Sequence, residues 1–192
     1  GFVVNSSSEE GLLCINGMSY SKRDSANANA AIVAAVFPSE DPEENIRYQE
    51  RLEKFAWKKG NGNIVSQLFK DFETGKVSES YGSVVPVHKG NTVFGNIRDI
   101  LPESVCNDIQ EAIHAFSGKI KGFDDPDAVL SAVESRTSSP VRIVRNEEME
   151  ADIKGVYPIG EGAGYAGGIT SAAMDGIRVF EQIYGKYCFI SK

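Results

Sequence analysis

Short apolar runs, long helical stripes and one glycine-rich turn follow one another along the 192-residue chain. Phe2-Val3-Val4 and Leu12-Leu13-Cys14-Ile15 flank the polar stretch Asn5 to Gly11, the arrangement of a hairpin. Ala30 to Val36 is apolar too, and its pattern fits a buried strand or a short helix equally. Asp41, Pro42 and Glu44 combine a capping residue, a proline at the first helical position and a reciprocal carboxylate. Ile46, Leu52, Phe55 and Ala56 continue as a helical stripe, and Lys58-Lys59-Gly60 supplies a cationic end with its glycine stop. A short second helix is expected over Val65 to Phe72. A third is expected from Pro102 to about Lys119, where Val105, Ile109, Ala112, Ile113, Phe116 and Ile120 keep the 3.6-residue period. After Pro126 the texture turns to strands, at Ala128 to Val133, Val141 to Arg145 and Ile153 to Ile159. A last helix is expected over about Ile169 to Tyr184. This order predicts an α/β or α+β chain in three stretches: β-rich residues 1–36, a mainly helical 37–126, and strands with a final helix in 127–192.

Composition narrows the function classes. With 20 Lys and Arg against 27 Asp and Glu, the net charge of −7 argues against a nucleic-acid surface, which needs clustered cations to displace counterions. No run approaches the ~20 apolar residues of a membrane span. Cys14, Cys106 and Cys188 are odd in number and far apart, matching neither a zinc spacing nor a disulfide framework. A cytoplasmic protein with no metal, no membrane partner and no nucleic-acid partner is expected. The chain opens without a methionine and in mid-pattern, which points to a piece of a longer polypeptide.

The chemistry concentrates in three segments. Five of the 19 glycines lie between Gly160 and Gly168, between an apolar run and an alanine-rich helix. Glycine admits positive φ and close approach of another group. A helix start offers unpaired N–H groups and about half a positive charge, which suits a phosphate or the electron-rich edge of a flavin. Glu161 beside it suits hydroxyls better than phosphate, so a polyol chain next to a heteroaromatic ring fits the pair. The same glycines would also serve simple helix-on-sheet packing, and Gly160-Glu-Gly-Ala-Gly is not the G-x-G-x-x-G fingerprint. In the second segment, Glu134-Ser-Arg-Thr-Ser-Ser-Pro-Val-Arg, strand alternation would put Arg142 and Arg145 on opposite faces, leaving Arg136 and Arg142 as the better pair. Arg136, Ser138, Ser139 and Arg142 are the candidate substrate ligands, against the alternative of a polar surface turn. The third, Asn16 to Asn29, suits hydroxyl or carboxylate binding or plain turn formation.

Together these segments resemble a family of bacterial FAD-dependent dehydrogenases of undefined substrate. The matching stretches are Asn16-Gly-Met-Ser-Tyr20 with Arg23-Asp24 and Asn27-Ala-Asn29, Lys119-Ile-Lys-Gly-Phe123, Pro126-Asp-Ala-Val-Leu130, Glu134 to Ile143 and Tyr157 to Gly168. The resemblance implies a cap or substrate region with a helical insert, followed by the strand-turn-helix of a Rossmann-like FAD fold. It implies that Glu161 meets the ribityl hydroxyls and that Ala166 to Ile169 face the flavin's pyrimidine edge. Gly160, Glu161, Gly162, Ala166, Gly167, Gly168 and Ile169 are thus the expected cofactor residues. The β-α-β unit that grips the ADP part is not in these residues. FAD is therefore expected in an intact parent, with this piece apo and inactive alone. Its expected partners are that dinucleotide-binding half, a small-molecule substrate and NAD(P)H. The alternatives are a non-catalytic ligand-binding module and a structural interaction domain.

Overall fold

A computed structural model describes residues 1–36 and 38–188, an α+β chain that divides into two units. The first comprises Gly1–Pro38 and Arg47–Ser135, and the second Ser39–Ile46 and Arg136–Lys192.

The first unit holds six strands in two sheets. One sheet has the order β2-β1-β4, built from β1 (Phe2–Asn5), β2 (Ile15–Met18) and β4 (His88–Lys89). β1 and β2 pair antiparallel, with Phe2 opposite Met18 and Asn5 opposite Ile15. The expected hairpin exists, but its second strand starts at Ile15; Leu13 and Cys14 are buried just before it. The other sheet runs β5-β3-β6, from β3 (Ile64–Leu68), β5 (Thr92–Phe94) and β6 (Val129–Ala132). β3 is its centre, parallel to β5 and antiparallel to β6.

The helix expected over Val65 to Phe72 is therefore a strand for its first half. Every residue of β3 is buried, the polar Ser66 and Gln67 included, so the strand shows none of the apolar-polar alternation of a half-buried one. Only α2 (Phe69–Thr74) is helical, stopped by Gly75 at φ 69°. Ala30 to Val36 is neither strand nor helix; it is irregular and half-buried to exposed, its alanines having little area to hide. By contrast α1 (Pro42–Gly60) and α3 (Glu103–Ser117) form where their stripes place them. At the start of α1 the Glu43 amide donates to Asp41 Oδ1 at 2.9 Å, while the Asp41 amide donates to Ser39 Oγ.

The core gathers Leu13, Ala56, Val65, Phe69, Phe72, Ile97, Ile100, Cys106, Ile113, Ala132 and Val133, all of the first unit. Two buried polar side chains stitch it. Gln67 Oε1 accepts the Ile97 amide at 2.9 Å, and its Nε2 donates to the Lys76 carbonyl at 2.6 Å. Ser78 Oγ accepts the Leu68 amide at 2.8 Å and donates to Asp71 Oδ2 at 2.6 Å. Ser78→Ala would leave the Leu68 N–H buried without this partner. Chemical denaturation should show a loss of about 1–3 kcal/mol, with the same dependence on denaturant. The side chains of Asn27 and Asn29, singled out as possible ligands, tie down their own loop. Asn29 Nδ2 donates to the carbonyls of Phe2 and Met18, and Asn27 Nδ2 donates to that of Val85.

The second unit is built on one long helix, α4 (Ile169–Tyr187), close to the span its pattern predicts. The strands expected before it do not form. Val141 to Arg145 follows Pro140 as an irregular segment with one backbone bond to the glycine turn, from the Ile143 amide to the Ala163 carbonyl at 3.2 Å. Ile153 to Ile159 turns instead of extending. Gly155 takes φ 80°, and its amide is drawn to Glu150 Oε1 at 2.6 Å. The Pro158 carbonyl, a potential ladder acceptor, is taken by Arg145 at 2.8 Å. No described helix is long and apolar enough to cross a membrane.

Candidate functional site

The second unit brings together the two segments that carry most of the candidate residues. Gly160 to Gly168 is a turn leading directly into α4, whose N-cap is Gly168. Its first bend is closed by the Tyr165 amide donating to the Gly160 carbonyl at 3.0 Å and the Gly164 amide to the Glu161 carbonyl at 2.9 Å. Two glycines are required here. Gly160 sits at φ 70° and Gly164 at φ 81°. A Cβ on Gly164 would lie 2.5 Å from the Val141 carbonyl oxygen, a distance no side chain tolerates.

The loop 136–142 folds against this turn. Ser139 Oγ donates to the Gly162 carbonyl at 3.2 Å and to the Val141 carbonyl at 2.8 Å. Arg142 Nε donates to the Gly164 carbonyl at 3.0 Å, and its guanidinium lies 5.0 Å from the Tyr165 ring centre. Ser138 Oγ stands beside Gly167, 3.9 Å from where a Cβ would be. Of the four candidate substrate residues, Ser139 and Arg142 thus give hydrogen bonds to the turn. Arg136 and Ser138 are exposed.

A buried ion pair, missed by the sequence reading, anchors the whole arrangement. Arg145 and Asp175 are each only 8% exposed and meet bidentately, at 2.7 and 3.0 Å. Asp175 Oδ2 also accepts the Gly160 amide at 2.9 Å, and the Arg145 guanidinium lies 3.6 Å from the Tyr165 ring centre. One pair therefore holds the Pro158 carbonyl just ahead of the turn, the turn's first amide and the aromatic ring at its middle. Arg145, with the Gly160 amide, keeps the Asp175 carboxyl below its usual range, and burial opposes this only in part. The signal available in sequence was Asp175 lying on the α4 face that also carries Val179, where an unpaired carboxylate is costly.

The candidate cofactor residues divide in the same way. Gly160 is buried and its amide is committed to Asp175. Glu161, Gly162, Gly167 and Ile169 are exposed, while Ala166 and Gly168 are half-buried. A Cβ on Gly162 would meet nothing within 4 Å, so this part of the turn borders open space. At the helix start, Ser171 Oγ donates to the Gly168 carbonyl at 2.9 Å, and the N-cap Gly168 offers no side chain to cap the first amides of α4. An exposed carboxylate, an open glycine surface and a helix N-terminus on one turn suit hydroxyl donors next to an electron-rich ring. The residues present fit the end of a flavin cofactor.

The sequence model of the family described as "FAD-dependent protein, C-terminal domain-like" matches residues 1–137. The chain belongs to this family of FAD-dependent proteins. It is also 44% identical over 194 residues to an uncharacterized protein of Clostridium beijerinckii, an alignment covering 97% of this chain and 36% of that relative. The chain thus spans about a third of the length of the curated relative it matches.

Proposed function

We propose that the chain is the C-terminal region of a flavin-dependent oxidoreductase, in which residues 136–192 supply the ribityl and isoalloxazine end of the FAD site. The observation that carries this reading is the convergence of the 136–142 loop and the glycine turn at the start of α4, with Glu161 exposed on the same turn. Glu161 would accept the ribityl hydroxyls. Gly162, Ala166, Gly167, Gly168 and Ile169 would present a surface without large side chains and the helix start to the ring. Bound FAD would supply two-electron hydride chemistry, which belongs to the cofactor. The protein's part is to hold and orient. Arg136 and Ser138 would face the substrate, while Ser139 and Arg142 fix the turn. The first unit would serve as the cap or substrate region. The adenosine half of FAD would be gripped by a Rossmann-like unit elsewhere in a longer chain, with NAD(P)H or a small molecule as electron donor.

Flavin titration of that longer chain tests this reading. Charge-assisted hydrogen bonds contribute roughly 1.5–3 kcal/mol, so Glu161→Ala should weaken FAD binding about 10- to 100-fold. Glu161→Asp should be milder, because the carboxylate survives with a shorter reach. Arg136→Ala should leave flavin content intact and slow turnover. The 192 residues alone should purify colourless. Unchanged FAD affinity in Glu161→Ala would remove the glutamate from the site.

A further inference from the structure

Two arginines of the second unit share the ring of Tyr165, and only one of them has its charge met. Arg145 lies 3.6 Å from the ring centre and is closed by Asp175 at 2.7 and 3.0 Å. Arg142 lies 5.0 Å from the same centre and gives one hydrogen bond, from Nε to the Gly164 carbonyl at 3.0 Å. Among the described residues no carboxylate stands within ion-pair distance of Arg142, and no acceptor takes its two Nη groups. Four of the five N–H donors of that guanidinium are therefore unused. The residue is exposed, so these donors reach solvent. Arg178 on α4 is also exposed, but no hydrogen bond among the described residues holds it. Arg142 thus combines a fixed guanidinium with an open Nη edge.

That combination suits one kind of ligand. A planar guanidinium edge meets a carboxylate or a phosphate with two parallel hydrogen bonds. A side chain already held by its Nε and by a ring loses little further freedom when it binds. Between the two anions, Glu161 decides. It is an exposed carboxylate on the same turn, and its repulsion of a phosphate dianion is twice that of a carboxylate. We infer that the inner edge of Arg142 fixes the turn while its outer edge grips the substrate, which is an organic carboxylate bound beside Gly164. This rests on the functional reading above for the flavin at that turn and adds the class of substrate that meets it there.

Chemical footprinting of the full-length protein tests it. Phenylglyoxal modifies accessible arginines, and mass spectrometry of the peptides follows Arg142 and Arg178 separately. The probes are acetate, lactate, succinate and benzoate, each beside its neutral amide, and inorganic phosphate. Arg142 should react freely without a probe, and at least one carboxylate should slow it about tenfold or more at saturation. The amides should leave Arg142 reactive, and no probe should slow Arg178. Calorimetry with the protecting carboxylate should show binding about 10- to 100-fold weaker in Arg142→Lys, which keeps a charge and loses the fork, and unchanged binding in Arg178→Ala. Arg142 that is unreactive without any probe overturns the inference, as does protection by the amides or by phosphate as strong as that by the carboxylates. The flavin spectrum is recorded in the same titrations. Protection by a carboxylate in a protein that holds no flavin keeps the carboxylate site and removes the flavin reading. A yellow protein that loses FAD in Glu161→Ala, but whose Arg142 no carboxylate protects, does the reverse.

Discussion

Replacing Gly164 with valine is expected to unfold the glycine turn while leaving the first unit intact. Position 164 lies at φ 81°, where a β-branched residue is strained by about 1–3 kcal/mol. The clash adds to this. The new Cβ would sit 2.5 Å from the Val141 carbonyl oxygen and 3.0 Å from the Arg142 Cα, both backbone atoms that move only if the 136–142 loop leaves the turn. Once it leaves, the bonds from Arg142 to Gly164 and from Ser139 to Gly162 are lost as well. A total of roughly 3–4 kcal/mol follows for the second unit. Limited proteolysis at Arg142 and Arg145 reads that unit, and near-ultraviolet circular dichroism of the single tryptophan, Trp57, reads the first. Cleavage should accelerate by two orders of magnitude or more with the tryptophan signal unchanged. Gly162→Ala is the matched control. Its Cβ meets nothing and its φ is not positive, so stability should stay within about 0.5 kcal/mol of the parent.

The second large effect is expected at Asp175. Asp175→Ala removes the carboxylate from a guanidinium that is itself 8% exposed, and it strips the Gly160 amide of its acceptor. Breaking one side of a buried pair costs about 3–5 kcal/mol; in so small a unit we expect about 3. Replacing both partners with apolar residues, Arg145→Met with Asp175→Leu, should recover much of that loss, because no buried charge is left alone. The pair also sets an acid limit. The Asp175 carboxyl titrates below its usual range in the folded chain. Its contribution is therefore complete above the unfolded aspartate value of about 3.9 and is lost as pH falls from there through the folded value. Proteolysis of the second unit should rise on acidification in the parent and be flatter with pH in the double variant.

How much of this was legible in the sequence depended on whether an element declares itself locally. α1 carries its own cap and stop, α3 and α4 their own stripes, and all three form where expected. β3 has no such private signal. Its identity comes from partners near residues 92–94 and 129–132, and burial on both faces erases the alternation that marks a strand. The converse error fell on Val141 to Arg145 and Ile153 to Ile159, where β-branched composition suggested strands that find no ladder within the second unit. At the site, the glycine turn and the 136–142 loop were each visible, and their contact was not. It rests on Gly164 accepting from Arg142 across 22 positions and on Asp175 reaching back 15 positions to Gly160, distances no local pattern encodes. Arg145 was set apart from Arg142 by strand alternation, yet both guanidinium groups lie over Tyr165, because the segment between them is not a strand.

The central place of β3 has a consequence for how the chain leaves the ribosome. Its parallel neighbour β5 is complete by Phe94, but the other edge waits for Val129–Ala132, with Val65 opposite Ala132 and Leu68 opposite Val129. For the whole time that α3 is being made, one edge of a strand that is wholly buried in the finished fold stands unpaired, the condition under which nascent chains pair with one another. A polypeptide released anywhere before Val129 keeps that open edge permanently. The last few residues of the first unit thus act as its seal, and the second unit begins immediately after it.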